Sequence, residues 1–417
     1  MIRILSILVF SLFFMTCTTP PPAEETTAPG DEELKAKANE LARKFIITDG
    51  HIDLPYRLKA ADFDIAEDKD VILSTEKGDF DYERSKAGGL DAPFMSIYIP
   101  ARYQETGGAK ELADTLINMV ESIANAFPDK FKVATSPAQV KENFEKGIIS
   151  LPMGMENGAP IGDDLANVAY FHGRGIRYVT LTHSRDNLIC DSSYDTTRTW
   201  NGLSPFGKEV VKEMNRVGIM VDVSHISDST FYQVMEIAEA PVIASHSSCR
   251  HFTPDFERNM GDDMIKLLGE KDGVIQINFG STFLDSAVAA YTNERRERLG
   301  KILEEKQLNF LDSAARSIID DFNREFPNRY SNVQKVADHI DRVVELAGID
   351  HVGLGSDYDG VGDSLPEGLK DVSEYPNLIY ELLKRGYSEE DIEKICYKNV
   401  FRVWEAVEKV AQEKQGT

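Results

Sequence analysis

Six stretches of this 417-residue chain place a histidine or an acid directly after a short apolar run. Together they hold His51, Asp53, Glu156, His183, His225, His246 and Asp357. Imidazole nitrogen and carboxylate oxygen from separate elements suit zinc, and a catalytic ion keeps one position open for water or substrate. His51 and Asp53 are two residues apart, so in an extended chain both side chains point to one side and can share an ion. The same tripeptide recurs at His339-Ile340-Asp341. There the surrounding periodicity is helical, two residues subtend about 200 degrees, and the side chains diverge. The first copy is therefore expected to ligate metal and the second to form a solvated helix face.

Two ions need a bridging ligand. Glu156 sits in Gly-rich surroundings after an apolar run, and its carboxylate could bind both ions at once, roughly 3.5 to 4 Å apart, with the hydroxide between them as nucleophile. A lone histidine at a strand end is by default a core residue, but His225 and His246 end consecutive runs and are expected as ligands. His183 ends another run and is left to hold the substrate carbonyl and stabilise the oxyanion. Asp357 is the candidate to take a proton from the attacking water and pass it to the leaving amine, a role that needs a shifted pKa. Asp359 lies on the same side of an extended chain and is a possible partner. His351 begins its run and His172 lies in a Gly-rich approach, so these two and His251 are expected to be structural.

The elements that must position these groups are short β-rich runs at 45–48, 94–99, 148–153, 178–181, 219–223, 242–244, 274–277 and 352–354. Amphipathic helical candidates lie between them, at 112–126, 205–217, 264–268 and 333–346. Such alternation suits a barrel or a doubly wound sheet; barrel enzymes gather their catalytic groups at strand C-terminal ends, where nearly all of these fall. Residues 281–332 are too long for a simple connection and carry a helical pattern at 294–307, so they are read as an insertion before the last strand. Residues 389–409 are expected to be a closing helical pair.

The formal net charge of −24 argues against nucleic acid as a partner, because that affinity comes from neutralising phosphates. Residue Arg3 and the apolar run 4–15 match a secretory signal too short to span a bilayer. Cys17 follows Phe14-Met15-Thr16 directly and resembles the acylation site of a bacterial lipoprotein. The expected organisation is a signal and acylation site over 1–17, a tether over 18–31 that lacks the apolar residues to fold, and a catalytic domain over 32–417. Export and a lipid anchor on the periplasmic or cell-surface side of a bacterial membrane follow, with the membrane reached through the anchor only. Cys190, Cys249 and Cys396 remain, an odd number without a CxxC pair, so at least one thiol is unpaired, a cysteine zinc site or disulfide scaffold is not expected, and an oxidising compartment allows one bridge.

The chain resembles the membrane (renal) dipeptidase family of the metal-dependent amidohydrolase superfamily. The resemblance rests on DGHIDLP (49–55), GMENG (154–158), RYVTLTHSRDN (177–187), GLSPFGKEVVKEMNRVGIMVDVSH (202–225), PVIASHSS (241–248), RNM (258–260) and HVGLGSDYDG (351–360). It implies a (β/α)8 TIM-like barrel with a helical insertion before the last strand and C-terminal helices. It also implies two Zn2+ ions as cofactors and small dipeptides as substrates. His51, Asp53 and the bridging Glu156 would hold one side of the zinc pair, and His225 and His246 would complete the other. His183 would contact the substrate, and Arg258 would grip the substrate's terminal carboxylate with two guanidinium contacts. A homodimer is implied by analogy alone. The chain departs from the family at Asn157, where a second Gly is frequent, and in the variable loop between His246 and Arg258; both bear on pocket shape.

Rival readings fare worse. Residues 202–208 fit most of a phosphate-binding loop, but Glu209 stands where a Ser or Thr would hold magnesium. Ser204 is one residue out of step for a serine nucleophile elbow. A binuclear hydrolase acting on another amide or ester is the nearest alternative, and an inactive binding lipoprotein a more distant one.

Overall fold

Short β-branched runs separated by amphipathic helices bury both faces of a parallel sheet when each helix crosses back over it in the right-handed sense. The computed structural model describes residues 30–310 and 312–416 and has that layout. The expected signal segment, Cys17 and the tether up to residue 29 lie outside the described residues. After a first helix, Asp31–Lys44, eight parallel strands run in chain order. They are β1 (Ile47–Ile52), β2 (Leu90–Tyr98), β3 (Met153–Glu156), β4 (Ile176–Thr180), β5 (Met220–Asp222), β6 (Ile243–Ser247), β7 (Val274–Ile277) and β8 (Val352–Leu354).

Each strand pairs with its successor, Met95 opposite Met153 and Val352 opposite Ile275 among the contacts. β8 returns to β1 where the chain beyond it lies beside Ile52. There the Asp53 N–H donates to the Tyr358 carbonyl at 2.9 Å and the Asp357 N–H to the His51 carbonyl at 3.1 Å. The result is a nearly closed (β/α)8 TIM-like barrel, which decides against the doubly wound sheet.

The third run differs from expectation. Ile149–Leu151 pairs with Phe131–Val133 in a separate two-stranded sheet, and the barrel strand begins only at Met153. Pro152 divides the two, and a proline has no N–H to give a ladder, so the change of partner falls there. Helix Pro205–Val217 shows why the phosphate-loop pattern misleads: Ser204 Oγ accepts from the Gly207 N–H at 2.8 Å, Pro205 opens the first turn, and Gly218 ends the helix at φ 93°.

The insertion holds helices Ser286–Glu305 and Arg316–Glu325 around a small core of its own, Leu299, Leu303, Ala315 and Phe322. The first of these helices starts well before residue 294. The next helix, Val333–Ala347, corrects one expectation. His339 is fully buried, its Nδ1 accepting from the Cys249 N–H at 3.0 Å and its Nε2 lying 3.0 Å from the Leu284 carbonyl. Asp341 diverges from it as the helix requires and bonds Arg385 at 2.6 Å and Tyr387 at 2.7 Å. His339 is thus a satisfied core histidine and no part of a solvated face. Cys190, Cys249 and Cys396 are all buried with free thiols.

The C-terminal pair is one continuous helical run: Glu389–Glu393, a π turn at Lys394–Lys398, then Asn399–Gln415. Its residues Val400, Phe401, Trp404 and Val407 pack on Phe94, midway along β2, and on Ile46, Met220, Ile243 and Val274, which stand at or just before the N-terminal ends of their strands. The helix therefore plugs the barrel end opposite the strand termini that carry the acids and histidines. Among the described residues no helix is long and apolar enough to cross a membrane.

Trp404 is fully buried in this plug, 5.3 Å from Phe94 between ring centroids. Trp404→Ala is expected to destabilise the protein by about 3–5 kcal/mol, read as a lower melting temperature by calorimetry. Metal content per folded molecule should be unchanged; loss of metal without loss of stability would contradict a purely packing role.

Candidate active site

His51 lies in β1, Asp53 just after it, Glu156 ends β3, and His246 lies in β6. His183, His225 and Asp357 follow β4, β5 and β8 by three residues each. The barrel brings these seven residues to one mouth. Glu156 Oε1 lies 3.0 Å from His225 Nε2, 3.2 Å from His246 Nε2 and 3.7 Å from His183 Nε2. Its other oxygen, Oε2, lies 3.6 Å from His51 Nε2, which is 3.5 Å from Asp53 Oδ2. The ligand atoms form three overlapping trios: His51 with Glu156 and His246, Glu156 with His183 and His225, and His51 with Asp53 and Asp357. Within each trio they lie within 4.8 Å of one another.

Backbone conformation at the site is unusual. His225, Asp357 and Asp359 have φ of 69°, 64° and 66°, and Asn157, beside Glu156, has φ of 82°. Left-handed conformations cost side-chain-bearing residues energy and persist where the surroundings hold them. Asn157 is held by its amide, which donates to the Ile99 carbonyl at 2.9 Å and to Gln104 at 3.0 Å. That explains how Asn replaces Gly here, since Asn tolerates this region better than most residues. Because the chain is not extended at 357–359, Asp359 does not point with Asp357. It pairs with Arg57 at 3.2 Å and accepts from the Asp79 N–H at 2.6 Å.

Hydrogen bonds behind the site assign the tautomers of two histidines. The Tyr178 hydroxyl donates to the Gly50 carbonyl at 3.0 Å, so its oxygen is left to accept from His51 Nδ1 at 2.8 Å. The Ser245 hydroxyl donates to Asp222 at 2.6 Å and in the same way accepts from His246 Nδ1 at 2.7 Å. With the proton on Nδ1, each Nε2 presents a lone pair to the cavity. His225 Nε2 and His246 Nε2 lie only 2.8 Å apart. His51 Nε2 and Asp53 Oδ1 are buried without a hydrogen-bond partner. Converging lone pairs and orphaned buried acceptors are what a cation would satisfy, so the residues fit a metal centre.

Electrostatics agree. Burial pushes the Glu156 carboxyl up to about 7, with the nearby Asp53 and Asp357 charges adding to the rise. Burial and Asp53 raise Asp357 to about 6. His225 and His246 are held well below the usual imidazole range by burial, by Arg258 and by the neighbouring imidazoles. Burial and Arg258 bring His183 down to about 3. His51 goes the other way: burial opposes its charge, but Tyr178, Glu156 and Asp53 outweigh that and raise it. Neutral His183, His225 and His246 keep their lone pairs; at His51 the carboxylates favour a proton on Nε2 in the metal-free site, and a bound cation would displace it and supply the counter-charge the carboxylates lack.

A cavity of ≈ 880 Å³ opens over this set, walled in part by Asp53, Tyr56, Tyr98, Glu156, His183, Tyr194, His225 and Asp357. Arg258 is buried behind it, donating to Ser247 Oγ at 2.7 Å and to the His246 carbonyl at 2.8 Å, with Nε unpartnered. Sequence reasoning missed three residues. Tyr178 orients His51, and Asn278 donates to Asp357 Oδ2 at 2.8 Å. Gly360 leaves room that a side chain would fill, since a Cβ there would stand 2.2 Å from both Asp357 Oδ1 and Asp53 Oδ2. Its signals were its place three residues after Asp357 and at the end of the 351–360 motif. Of the remaining histidines, His351 Nδ1 bonds the Gly273 carbonyl at 2.8 Å, and His172 and His251 take no part in the cluster.

A sequence model of the membrane dipeptidase family (peptidase family M19) matches residues 35–417. An uncharacterized dipeptidase of Schizosaccharomyces pombe is 30% identical over 386 residues, covering 89% of this chain and 83% of that one. Among solved structures, the probable dipeptidase PvdM of Pseudomonas aeruginosa has a TM-score of 0.76 at 26% identity, covering 91% of this chain and 100% of its own. A metallo peptidase of Rhodobacter sphaeroides, liganded with a phosphinate mimic of the dipeptide L-Ala-D-Ala, has a TM-score of 0.71 at 25% identity, covering 87% of this chain and 99% of its own.

The hydroxyl behind His51 gives a test that leaves every ligand atom in place. Tyr178→Phe is expected to weaken metal binding about 10- to 100-fold, the usual consequence of removing an outer hydrogen bond to a ligating histidine. Competition with a chromophoric chelator reads this directly, and unchanged affinity would refute the assigned tautomer.

Proposed function

Because the chain belongs to the membrane dipeptidase family and is a metal-dependent hydrolase, we propose that it cuts the peptide bond of small dipeptides with the help of two zinc ions, to both of which Glu156 would contribute. The observation that carries this reading is the division of the Glu156 oxygens, Oε1 toward His225 and His246 and Oε2 toward His51. His51 and Asp53 would hold one ion and His225 and His246 the other. When bound, the ions supply Lewis acidity that acidifies the attacking water and polarises the peptide carbonyl.

The chain's own residues do the rest. Asp357, held through Oδ2 by Asn278, takes the proton of the water and returns it to the leaving amine. His183, neutral at working pH, is placed to hold the carbonyl oxygen as it gains charge. Arg258 receives the substrate's terminal carboxylate through the N–H groups that Ser247 and His246 leave free. The dipeptide mimic bound by the Rhodobacter sphaeroides relative supports this substrate class. The same reading has the enzyme exported and tethered by a lipid on Cys17 to a bacterial membrane, with pairing into homodimers as an accompanying proposal.

Three outcomes are expected. Zinc-loaded protein should release free amino acids from dipeptides but not from C-terminally amidated ones, and chelation should abolish the release; zinc binding without turnover across a broad panel would refute the reading. Asp357→Asn should lower kcat about 100-fold or more while zinc stays bound, as steady-state rates and metal analysis would show. Mass spectrometry of the mature protein should find an acylated Cys17 as its first residue, and an unmodified N-terminus elsewhere would remove the anchor.

A further inference from the structure

The insertion brings to the cavity a charge that the mechanism above does not use. On helix Ser286–Glu305, Thr292, Arg296, Leu299 and Leu303 form one stripe at i, i+4, i+7 and i+11. Leu299 and Leu303 face the small core of the insertion. Thr292 and Arg296, earlier on the same stripe, line the active-site cavity together with Thr282 and Phe283.

The other cations of this helix are committed. Arg295 donates to the Phe326 carbonyl at 2.6 Å, Arg298 pairs with Glu294 at 2.5 Å, and Lys301 pairs with Glu297 at 2.6 Å. Arg57, the other arginine on the cavity wall, is tied to Asp359 and to the carbonyls of Lys77 and Phe80. Arg296 has no hydrogen bond or ion pair to any described residue. In a chain with 70 acids against 46 Lys and Arg, a cation at a cavity mouth that pairs with none of them is available to a ligand. The wall's own Asp363 does not engage it, because that carboxylate accepts from Tyr330 at 2.8 Å and from Asn328 at 2.7 Å.

We propose that Arg296 reads an acidic side chain on the substrate, so that dipeptides containing aspartate or glutamate are the preferred class. The proposal rests on the dipeptidase reading of the site. A dipeptide has one terminal carboxylate, and Arg258, deep beside His246, is assigned to it. A second carboxylate on a side chain reaching toward the mouth would meet the Arg296 guanidinium, whose planar fork suits two-pronged binding. Thr292, one turn earlier, adds a hydroxyl to the same patch.

The test uses the full-length, zinc-loaded protein and kcat/KM for Ala-Ala, Ala-Glu, Glu-Ala, Ala-Gln, Gln-Ala, Ala-Lys and Lys-Ala. The wild-type ratio of a Glu peptide to its Gln isostere is expected to be about ten, the size of one charge-assisted contact. Whether Ala-Glu or Glu-Ala shows it identifies the position read. Arg296→Gln should bring the ratio to about one, and Arg296→Glu should turn the preference toward the Lys peptide. A ratio that is the same in wild type and Arg296→Gln, with Ala-Ala still cut, would overturn this proposal alone. Absence of turnover of every peptide by the wild type would overturn the dipeptidase reading and the proposal with it.

Discussion

Three carboxylates, Asp53, Glu156 and Asp357, and four imidazoles converge on one largely buried volume with few donors between them. Two like charges 4 Å apart repel by about 4 kcal/mol even at an effective dielectric constant of 20. Such a set is held together at a cost that bound cations would offset. The surrounding architecture can be understood as the framework that keeps these groups in place against their mutual repulsion.

That framework consists of acids that never reach the cavity. Asp222 accepts from Thr180, from the Ser224 N–H and from both the N–H and hydroxyl of Ser245, linking the ends of β4, β5 and β6 beneath the histidines. Asp49 does the same across the closing seam, accepting from the His51 N–H at 2.9 Å, the Ser356 N–H at 3.0 Å and the Tyr375 hydroxyl at 2.6 Å. The barrel closes through the backbone of His51, Asp53, Asp357 and Tyr358, so closure and site assembly are one event. A rigid network of this kind also explains how His225 and Asp357 are kept in left-handed conformations.

Much of this was legible in the sequence because strand ends are marked twice, by the apolar run before them and by the polar residue after. His51, Glu156, His225 and His246 converge on the strength of that signal. Where it failed, the reason was a local feature that periodicity does not register. Pro152 split an apolar run between two sheets; the left-handed turn at Asp357 and Asp359 broke the assumption of extended chain. His339 looked solvent-facing because its partners, Cys249 and Leu284, are distant in sequence. Tyr178 lies within a strand and reads as core, which it is, and only its hydroxyl reveals the second duty.

The plug formed by Asn399–Gln415 bears on how the molecule is made. It follows all eight strands in the chain, and the seam between β1 and β8 also joins segments some three hundred residues apart. Until both are in place, the apolar strand starts that Trp404 covers are open to water and to other chains. Nascent polypeptide would therefore remain sticky until the segment that carries Trp404 has emerged, and a variant lacking that helix would be a substrate for chaperones and proteases.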